Sequence, residues 1–299
     1  MILREALQSA TQTLRRAGIA DASVEAELLL RHVLGMSKTQ LYTEPERSLT
    51  SVETEHLWRL VRRRLDHEPT DYILGHCEFY GIDFYIDYHT FIPRPETELL
   101  VEKAVELAHH ISHRGKQIAI ADIGTGCGAI AVSLALALPQ AKIYATDISA
   151  SALQVAGINC QRHAVNSRVE LLQGNLLEPL PQPVDMIVAN LPYIKSCEFR
   201  DLSPEIISFE PTIALAGGED GLDKIQQMLE QMPGKLNCGA CFLLEIGQGQ
   251  GEMVTSSIKS YFPQASIELI FDLGGIERVV KVVHLSSVVS HQSSINRQA

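Results

Sequence analysis

The chain has 299 residues, 45% of them hydrophobic and 20% charged, and a formal net charge of −11. That length exceeds one ordinary domain and that apolar fraction can bury a sizeable core, so two domains are expected. The acidic balance argues against a protein that holds nucleic acid mainly by neutralising phosphates, and the longest apolar run, 129–138 interrupted by Ser133, is half the roughly 20 residues that cross a bilayer.

The amino terminus, MILREALQSATQTLRR, lacks the unbroken apolar segment of a secretory signal, and its Glu5 is foreign to transit peptides, so a cytoplasmic location is expected. Leu3, Ala6, Leu7, Ala10 and Leu14 recur at helical spacing, and Gly18 can end that helix. Asp21 or Ser23 can cap a second helix carrying Val24, Leu28, Leu29 and Val33. Thr50 followed by Glu53 is a capping-box pattern and predicts a third through Leu57, Leu60, Val61 and Leu65. Residues 1–70 thus read as a small helical domain, with Arg62, Arg63 and Arg64 on a solvated face. From Tyr72 the texture turns aromatic, and Gly81, Ile82 and Asp83 separate two such segments as a hairpin turn would, which makes 71–92 a β-hairpin connector. PRPETE, residues 93–98, then stops any strand and opens a helix through Leu99, Leu100, Val101 and Val105.

Beyond Gly115 strands are expected at 118–123, 142–146, 169–172 and 184–189, alternating with helices at 129–138 and 150–164. Such alternation predicts a parallel sheet with helices on both faces. A strand at 242–246, a helix at 252–261 and strands at 266–271 and 277–284 complete a domain of residues 93–285, and the polar stretch 286–299 is expected to be disordered. The one close cysteine pair, Cys238 and Cys241, has no second pair or histidine cluster to complete a tetrahedral zinc site. Both cysteines read as ordinary turn and strand-start residues, and no metal site is expected.

ADIGTGCGAI, residues 121–130, is a strand end, a glycine-rich turn and a helix start. Gly124, Gly126 and Gly128 permit a tight turn and let a ligand approach the backbone of Thr125 and Cys127, while the helix amino terminus offers free N–H groups. The spacing is G-x-G-x-G, without the dinucleotide pattern or a P-loop lysine, so no phosphate cradle is demanded. Asp147, about twenty residues on at the next strand end, can accept both hydroxyl hydrogens of a ribose, as suits an adenosine-containing ligand; its alternative role is a helix cap, which Ser149 could equally fill. The third strand ends at Asn175 and Leu176, and the fourth ends at Asn190, Leu191, Pro192 and Tyr193. Ligands sit outside the carboxyl ends of such strands, so these residues converge on one crevice.

At this point the sequence resembles the release-factor glutamine methyltransferases (PrmC or HemK). DIGTGCGAIA, ATDIS, GNLLEPL, the NLPY stretch, EPTIALAGGEDGL, LLEIGQGQ and DLGGIERVV occur in that family's order, and the match reaches upstream through YILGHCEFYG and FIPRPETELL. The resemblance implies a class I S-adenosylmethionine-dependent methyltransferase fold, an α/β Rossmann-like, mostly parallel seven-stranded sheet with a small helical amino-terminal domain that recognises substrate. It implies S-adenosylmethionine at Gly124, Thr125, Gly126, Cys127, Gly128, Asp147, Asn175, Leu176 and Asn190. It implies methyl transfer to the side-chain amide (N5) of the glutamine in the Gly-Gly-Gln loop of class 1 peptide chain release factors, with Asn190, Leu191, Pro192 and Tyr193 as catalytic and substrate-binding residues. It also suggests that PRPETE, with Arg94, Glu96 and Glu98, and the segment at Glu210 and Pro211 lie near the crevice.

The residues agree with that chemistry. A carboxamide nitrogen is a poor nucleophile because its lone pair is delocalised, so it must be held in line with the methyl group. The side-chain oxygen of Asn190 and the backbone carbonyl of Leu191 are two acceptors for its two N–H groups, and the Tyr193 ring can pack on the amide plane. Leu191 stands where the family has proline; its carbonyl survives the exchange, and Pro192 pushes it toward the same extended backbone. Two other functions fit less of this pattern. An amino-methylating enzyme of the adenine-N6 type would carry a similar motif but should bring a basic base-reading domain, and no specific nucleic acid is expected here. A non-catalytic methyltransferase-like module would bind cofactor without transferring methyl.

Overall fold

The computed structural model describes residues 1–111 and 117–283; the stretch 286–299, expected to be disordered, lies outside them. The chain divides into two compact units, one of Met1–Cys77, Ile86–Tyr88 and Leu202–Glu210, the other of Glu78–Tyr85, His89–Asp201 and the chain from Pro211 onward.

The first unit contains α1 (Leu3–Arg16), α2 (Ala22–Leu34), α3 (Lys38–Thr43), α4 (Ser51–Leu65) and α5 (Thr70–Leu74). Leu3, Ala6, Ala10 and Leu14 of α1 are buried as their spacing predicts, and together with Leu29, Leu30, Leu57, Leu60 and Val61 they form one apolar cluster. Each fully buried leucine contributes roughly 1.5–3 kcal/mol relative to exposure. The capping box of α4 is formed: the Glu53 N–H donates to Thr50 Oγ1 at 3.2 Å, and the Thr50 N–H to the Glu53 carboxylate at 2.7 Å. Two expectations need correcting. Val24 is 55% exposed, because α2 buries the neighbouring stripe Ala22, Ala26, Leu29 and Leu30 instead; both stripes have helical spacing and only the partner helices choose between them. Arg64 is not solvated. It lies on the buried row Leu57, Leu60, Val61, Arg64 of α4 and forms ion pairs with Glu25 of α2 and Glu205.

A hairpin of β1 (His76–Phe79) and β2 (Ile82–Tyr85) follows. Its turn is Tyr80–Gly81, with φ of 55° and 70°, the two left-handed residues of a type I′ hairpin. The turn therefore falls one residue earlier than its glycine suggested.

The second unit then runs α6 (Thr97–Ile111), β3 (Ala119–Ile123), α7 (Ala129–Ala137), β4 (Lys142–Asp147), α8 (Ala150–Arg162), β5 (Val169–Gln173), β6 (Val184–Ala189) and β7 (Ile194–Lys195). An excursion carrying α9 (Pro204–Phe209) belongs to the first unit. The chain continues with β8 (Ala216–Gly218), α10 (Asp223–Gln231), β9 (Leu236–Glu245), α11 (Gly251–Tyr261), β10 (Ser266–Phe271) and β11 (Glu277–Val283). The main sheet has seven strands in the order β10-β11-β9-β6-β3-β4-β5. It is parallel except at β11, which runs antiparallel to both β9 and β10. Strand order reverses between β3 and its neighbours β4 and β6, so a crevice opens at their carboxyl ends. β9 begins at Leu236, earlier than its apolar run, so Cys238 and Cys241 both lie within it; a bulge opposite Val184 and Met186 accommodates its polar start. Among the described residues no helix is long and apolar enough to cross a membrane.

Candidate active site

The glycine turn is built by backbone bonds. The N–H groups of Gly124 and Thr125 both donate to the Thr146 carbonyl at 2.9 Å, tying the end of β3 to β4. Gly124, Gly126 and Gly128 all have positive φ, 74°, 56° and 85°, where only glycine is unstrained. A Cβ at Gly128 would meet Ala156 at 3.2 Å, and one at Gly124 would meet the Leu191 side chain at 3.3 Å, whereas one at Gly126 would project into open space. Gly126 is thus the position where the turn's backbone is left uncovered.

Beneath the turn lies Asp122, a buried residue holding the turn that motif spacing does not reveal. It is completely buried, with Oδ2 accepting from the Thr125 hydroxyl at 2.6 Å and the Ala131 N–H at 3.1 Å. Burial pushes its carboxyl up to about 7. The signal it leaves in the sequence is an aspartate inside an otherwise apolar strand. Asp147 stands at the end of β4 and accepts the Gly126 N–H at 2.8 Å on one oxygen and the Ser149 N–H at 2.9 Å on the other. Burial raises its pKa, against the pull of those N–H groups. Ser149 is the cap of α8, its Oγ accepting from the Ala152 N–H at 3.1 Å, so Asp147 is spared that role. A carboxylate oxygen can accept more than one hydrogen, and both remain available to a ligand.

Asn175 and Leu176 follow β5 and line the same crevice as the turn and Asp147. Leu176 has φ of 53°, a left-handed conformation that costs a leucine energy. Its carbonyl is held by the Thr146 hydroxyl at 2.9 Å. Asn190, Leu191, Pro192 and Tyr193 line the crevice from the end of β6. Leu191 is buried and part of the core, and neither its N–H nor its carbonyl makes a hydrogen bond among the described residues.

The setting of Asn190 and Tyr193 comes from residues far along the chain. Asn190 Nδ2 donates to Thr97 Oγ1 at 3.0 Å, which turns the amide oxygen the other way. Tyr193 donates its phenolic hydrogen to Glu245 Oε1 at 3.4 Å, and its carbonyl accepts from Gln250 Nε2 at 3.0 Å. Burial and the adjacent Glu245 hold the Tyr193 phenol well above the usual tyrosine range. Three glycines close on this tyrosine: a Cβ at Gly217 would sit 2.7 Å from its backbone, one at Gly221 2.4 Å from its carbonyl, and one at Gly247 3.1 Å from its ring. Gly217 and Gly221 of LAGGEDGL and Gly247 of LLEIGQGQ therefore share one physical role, to pack against Tyr193. Pro93 and Thr97 of PRPETE and Pro211 also line the crevice. Arg94 stacks over the Phe91 ring, 4.7 Å from its centroid, Glu96 approaches Arg278 at 3.8 Å, and Glu98 accepts the Tyr80 N–H at 2.9 Å. Glu210 belongs to the helical unit. Thr97 lies within PRPETE, and Glu245 and Gln250 within LLEIGQGQ. The sequence marks these stretches but does not single out the three residues in them, because along the chain they are one helix residue, the last residue of an apolar strand and one polar loop residue.

A seven-stranded sheet with one reversed strand, a glycine turn after β3 and a carboxylate ending β4 define a class I S-adenosylmethionine-dependent methyltransferase. The residues fit that cofactor: Gly126 leaves a cradle that a Cβ would fill, and Asp147 offers acceptors to a ribose. The catalytic domain of hMettl16 in complex with MAT2A 3′UTR hairpin 1 superposes with a TM-score of 0.56 at 12% identity, covering 89% of this chain and 92% of that one, a likeness of fold alone. Residues 5–75 match the family described as PrmC N-terminal domain, and residues 97–212 the Methyltransferase small domain. The release factor glutamine methyltransferase of Koribacter versatilis is 38% identical over 282 residues, 94% of this chain and 98% of that protein. Its counterpart from Bacillus anthracis is 35% identical over 284 residues, with the same shares covered. The chain belongs to the release factor glutamine methyltransferase family.

Proposed function

We propose that the protein transfers a methyl group from S-adenosylmethionine to the side-chain amide nitrogen of the glutamine in the Gly-Gly-Gln loop of class 1 peptide chain release factors, and that residues 190–193 form the acceptor site. The family supplies the reaction and the release factor as substrate. The observation that carries the site assignment is the Asn190 amide, held by its nitrogen at 3.0 Å from Thr97 at the strand end beside the glycine turn. Its oxygen is thereby left to accept from a substrate N–H.

The turn Gly124–Gly128, Asp147, Asn175 and Leu176, with Asn190 at the edge shared with the acceptor site, would hold the cofactor, which when bound supplies an electrophilic methyl group on a sulfonium. The chain's own residues do the rest. Asn190 Oδ1 and the Leu191 carbonyl each accept one N–H of the glutamine amide, which fixes the direction of the nitrogen lone pair and favours the positive charge that develops there. The Tyr193 ring packs on the amide plane. As the nitrogen gains the methyl group it gives up one of its two protons to solvent, and the bonding pair of the broken S–CH3 bond would stay with the sulfur as a neutral thioether. The helical unit recognises the body of the release factor, and the setting is the cytoplasm.

Incubation with isotope-labelled S-adenosylmethionine and a purified class 1 release factor, followed by peptide mapping, tests this reading. One added methyl on the Gly-Gly-Gln glutamine is expected. Label in nucleic acid, or equal labelling of a factor whose glutamine is replaced by asparagine, would reject it.

A further inference from the structure

A carboxamide is nearly symmetric in shape, so what decides which end faces a ligand is hydrogen bonding at the other end. Asn190 meets Thr97, which is 4% exposed on α6, and donates to its Oγ1 at 3.0 Å. The Thr97 hydroxyl faces Glu245 at the end of β9 and is among the groups that pull its carboxyl down against burial. Glu245 is 2% exposed, and its Oε2 has no hydrogen-bond partner among the described residues. A buried carboxyl that is only half satisfied, following Phe242, Leu243 and Leu244 of the sheet core, is costly to keep. Nothing in the proposed chemistry uses it directly.

We propose that Glu245 is the positioning residue that fixes which way round the Asn190 amide is held, and through it the polarity of the site that receives the substrate amide. The inference rests on the role given to Asn190 above. A threonine hydroxyl has one hydrogen. While Glu245 accepts it, Thr97 can offer Asn190 only lone pairs, so the Asn190 NH2 group must face Thr97 and its oxygen the crevice. Without an acceptor at 245 the Thr97 hydrogen is free to bond Asn190 Oδ1. The amide then turns over and presents an NH2 group to the substrate's NH2 group, donor against donor.

Glu245 is faced by Tyr193, by Thr97 and Glu96 at the start of α6, and by Arg278 of β11. Burial pushes its carboxyl up to about 7, but either protonation state retains an acceptor oxygen, so the positioning role does not depend on ionisation. The acceptor is what counts, not the charge.

Single-turnover methylation of a release factor by full-length Glu245→Leu, Glu245→Gln, Thr97→Ser, Thr97→Val and Asn190→Ala tests this. Glu245→Leu should slow the methyl-transfer step by about tenfold or more, while S-adenosylhomocysteine affinity, read by calorimetry, stays within about twofold and shows that the site is folded. Glu245→Gln, which keeps an acceptor oxygen, should restore the rate to within a few-fold. Thr97→Ser should behave like wild type and Thr97→Val like Glu245→Leu. If Glu245→Leu reacts at the wild-type rate while Asn190→Ala is slow, the inference is wrong and the role of Asn190 stands. If Glu245→Gln is as slow as Glu245→Leu, the carboxylate itself is required and the inference is equally wrong. A wild-type rate for Asn190→Ala would instead remove the reading of the site beneath it. Should Glu245→Leu fail to fold, the contrast between Thr97→Ser and Thr97→Val decides, with equal rates overturning the inference.

Discussion

The two halves of the crevice are held in different ways. On the glycine-turn side the polar contacts are short in sequence: Thr125 to Asp122 spans 3 residues, Ser149 to Asp147 2, and Gly126 to Asp147 21. On the acceptor side Asn190 is set by Thr97 across 93 residues, and Tyr193 by Glu245 and Gln250 across 52 and 57. The first half is mostly backbone amides fixed by a local turn, the second mostly side chains brought together by the sheet. A backbone cradle tolerates many ligands of one shape, whereas side-chain partners specify the direction of each hydrogen bond. The difference matches a shared donor on one side and a particular acceptor on the other.

The contrast predicts that damage to one half spares the other. Asn190→Ala deletes an acceptor aimed at the reacting nitrogen and should lower single-turnover methylation roughly a hundredfold or more, with a much smaller loss of S-adenosylhomocysteine affinity from the edge of the cofactor site that Asn190 shares; an equally large loss of affinity would merge the two halves. Asp147→Ala should do the reverse, weakening S-adenosylhomocysteine binding by about 1.5–3 kcal/mol, the scale of charged hydrogen bonds. Calorimetry reads this directly, and an unaltered affinity would leave Asp147 as a purely structural anchor of the turn.

Two smaller effects are read in the stability of the fold. Asp122 and Glu245, one under each half, are both raised by burial to about 7, from ordinary values of 3.8 and 4.5. Between those values and 7 the folded chain keeps protons that the unfolded chain has released, so stability should fall as pH rises through this window. Glu245→Gln, which cannot ionise, should match wild type in urea unfolding at pH 4 and exceed it at pH 8, by at most about 3 kcal/mol. A constant difference at both pH values would place Glu245 near its ordinary pKa. The smallest effect belongs to Leu191→Pro. Because the Leu191 N–H makes no hydrogen bond among the described residues, the change should leave turnover within a few-fold. It trims a 3%-exposed side chain and should cost about 1 kcal/mol of stability. A tenfold rate loss would show that the leucine side chain itself shapes the site.

Local chemistry determined much of this protein from the sequence alone. The capping box at Thr50 and Glu53, the spacing of Leu3, Ala6, Ala10 and Leu14, the β-strand at 184–189 and the glycine turn at 124–128 each need only neighbours within a turn or a strand, so their residues announce them. The strands β7 and β8 are not legible in the same way, because AGGEDG looks like loop until it is seen wrapped around Tyr193. Helix α10, with Ile225, Met228 and Leu229 at helical spacing, is legible in the residues although it is not among the elements expected above. The choice of Ala22, Ala26, Leu29 and Leu30 over Val24 and the burial of Arg64 were settled only by partners. So was the bond from Asn190 to Thr97 that sets the direction of the amide. Periodicity gives a residue's face within its own element, but it carries no record of which distant element will press against that face, and it is the parallel sheet, with strand neighbours dozens of residues apart, that brings α6 and β9 to the end of β6.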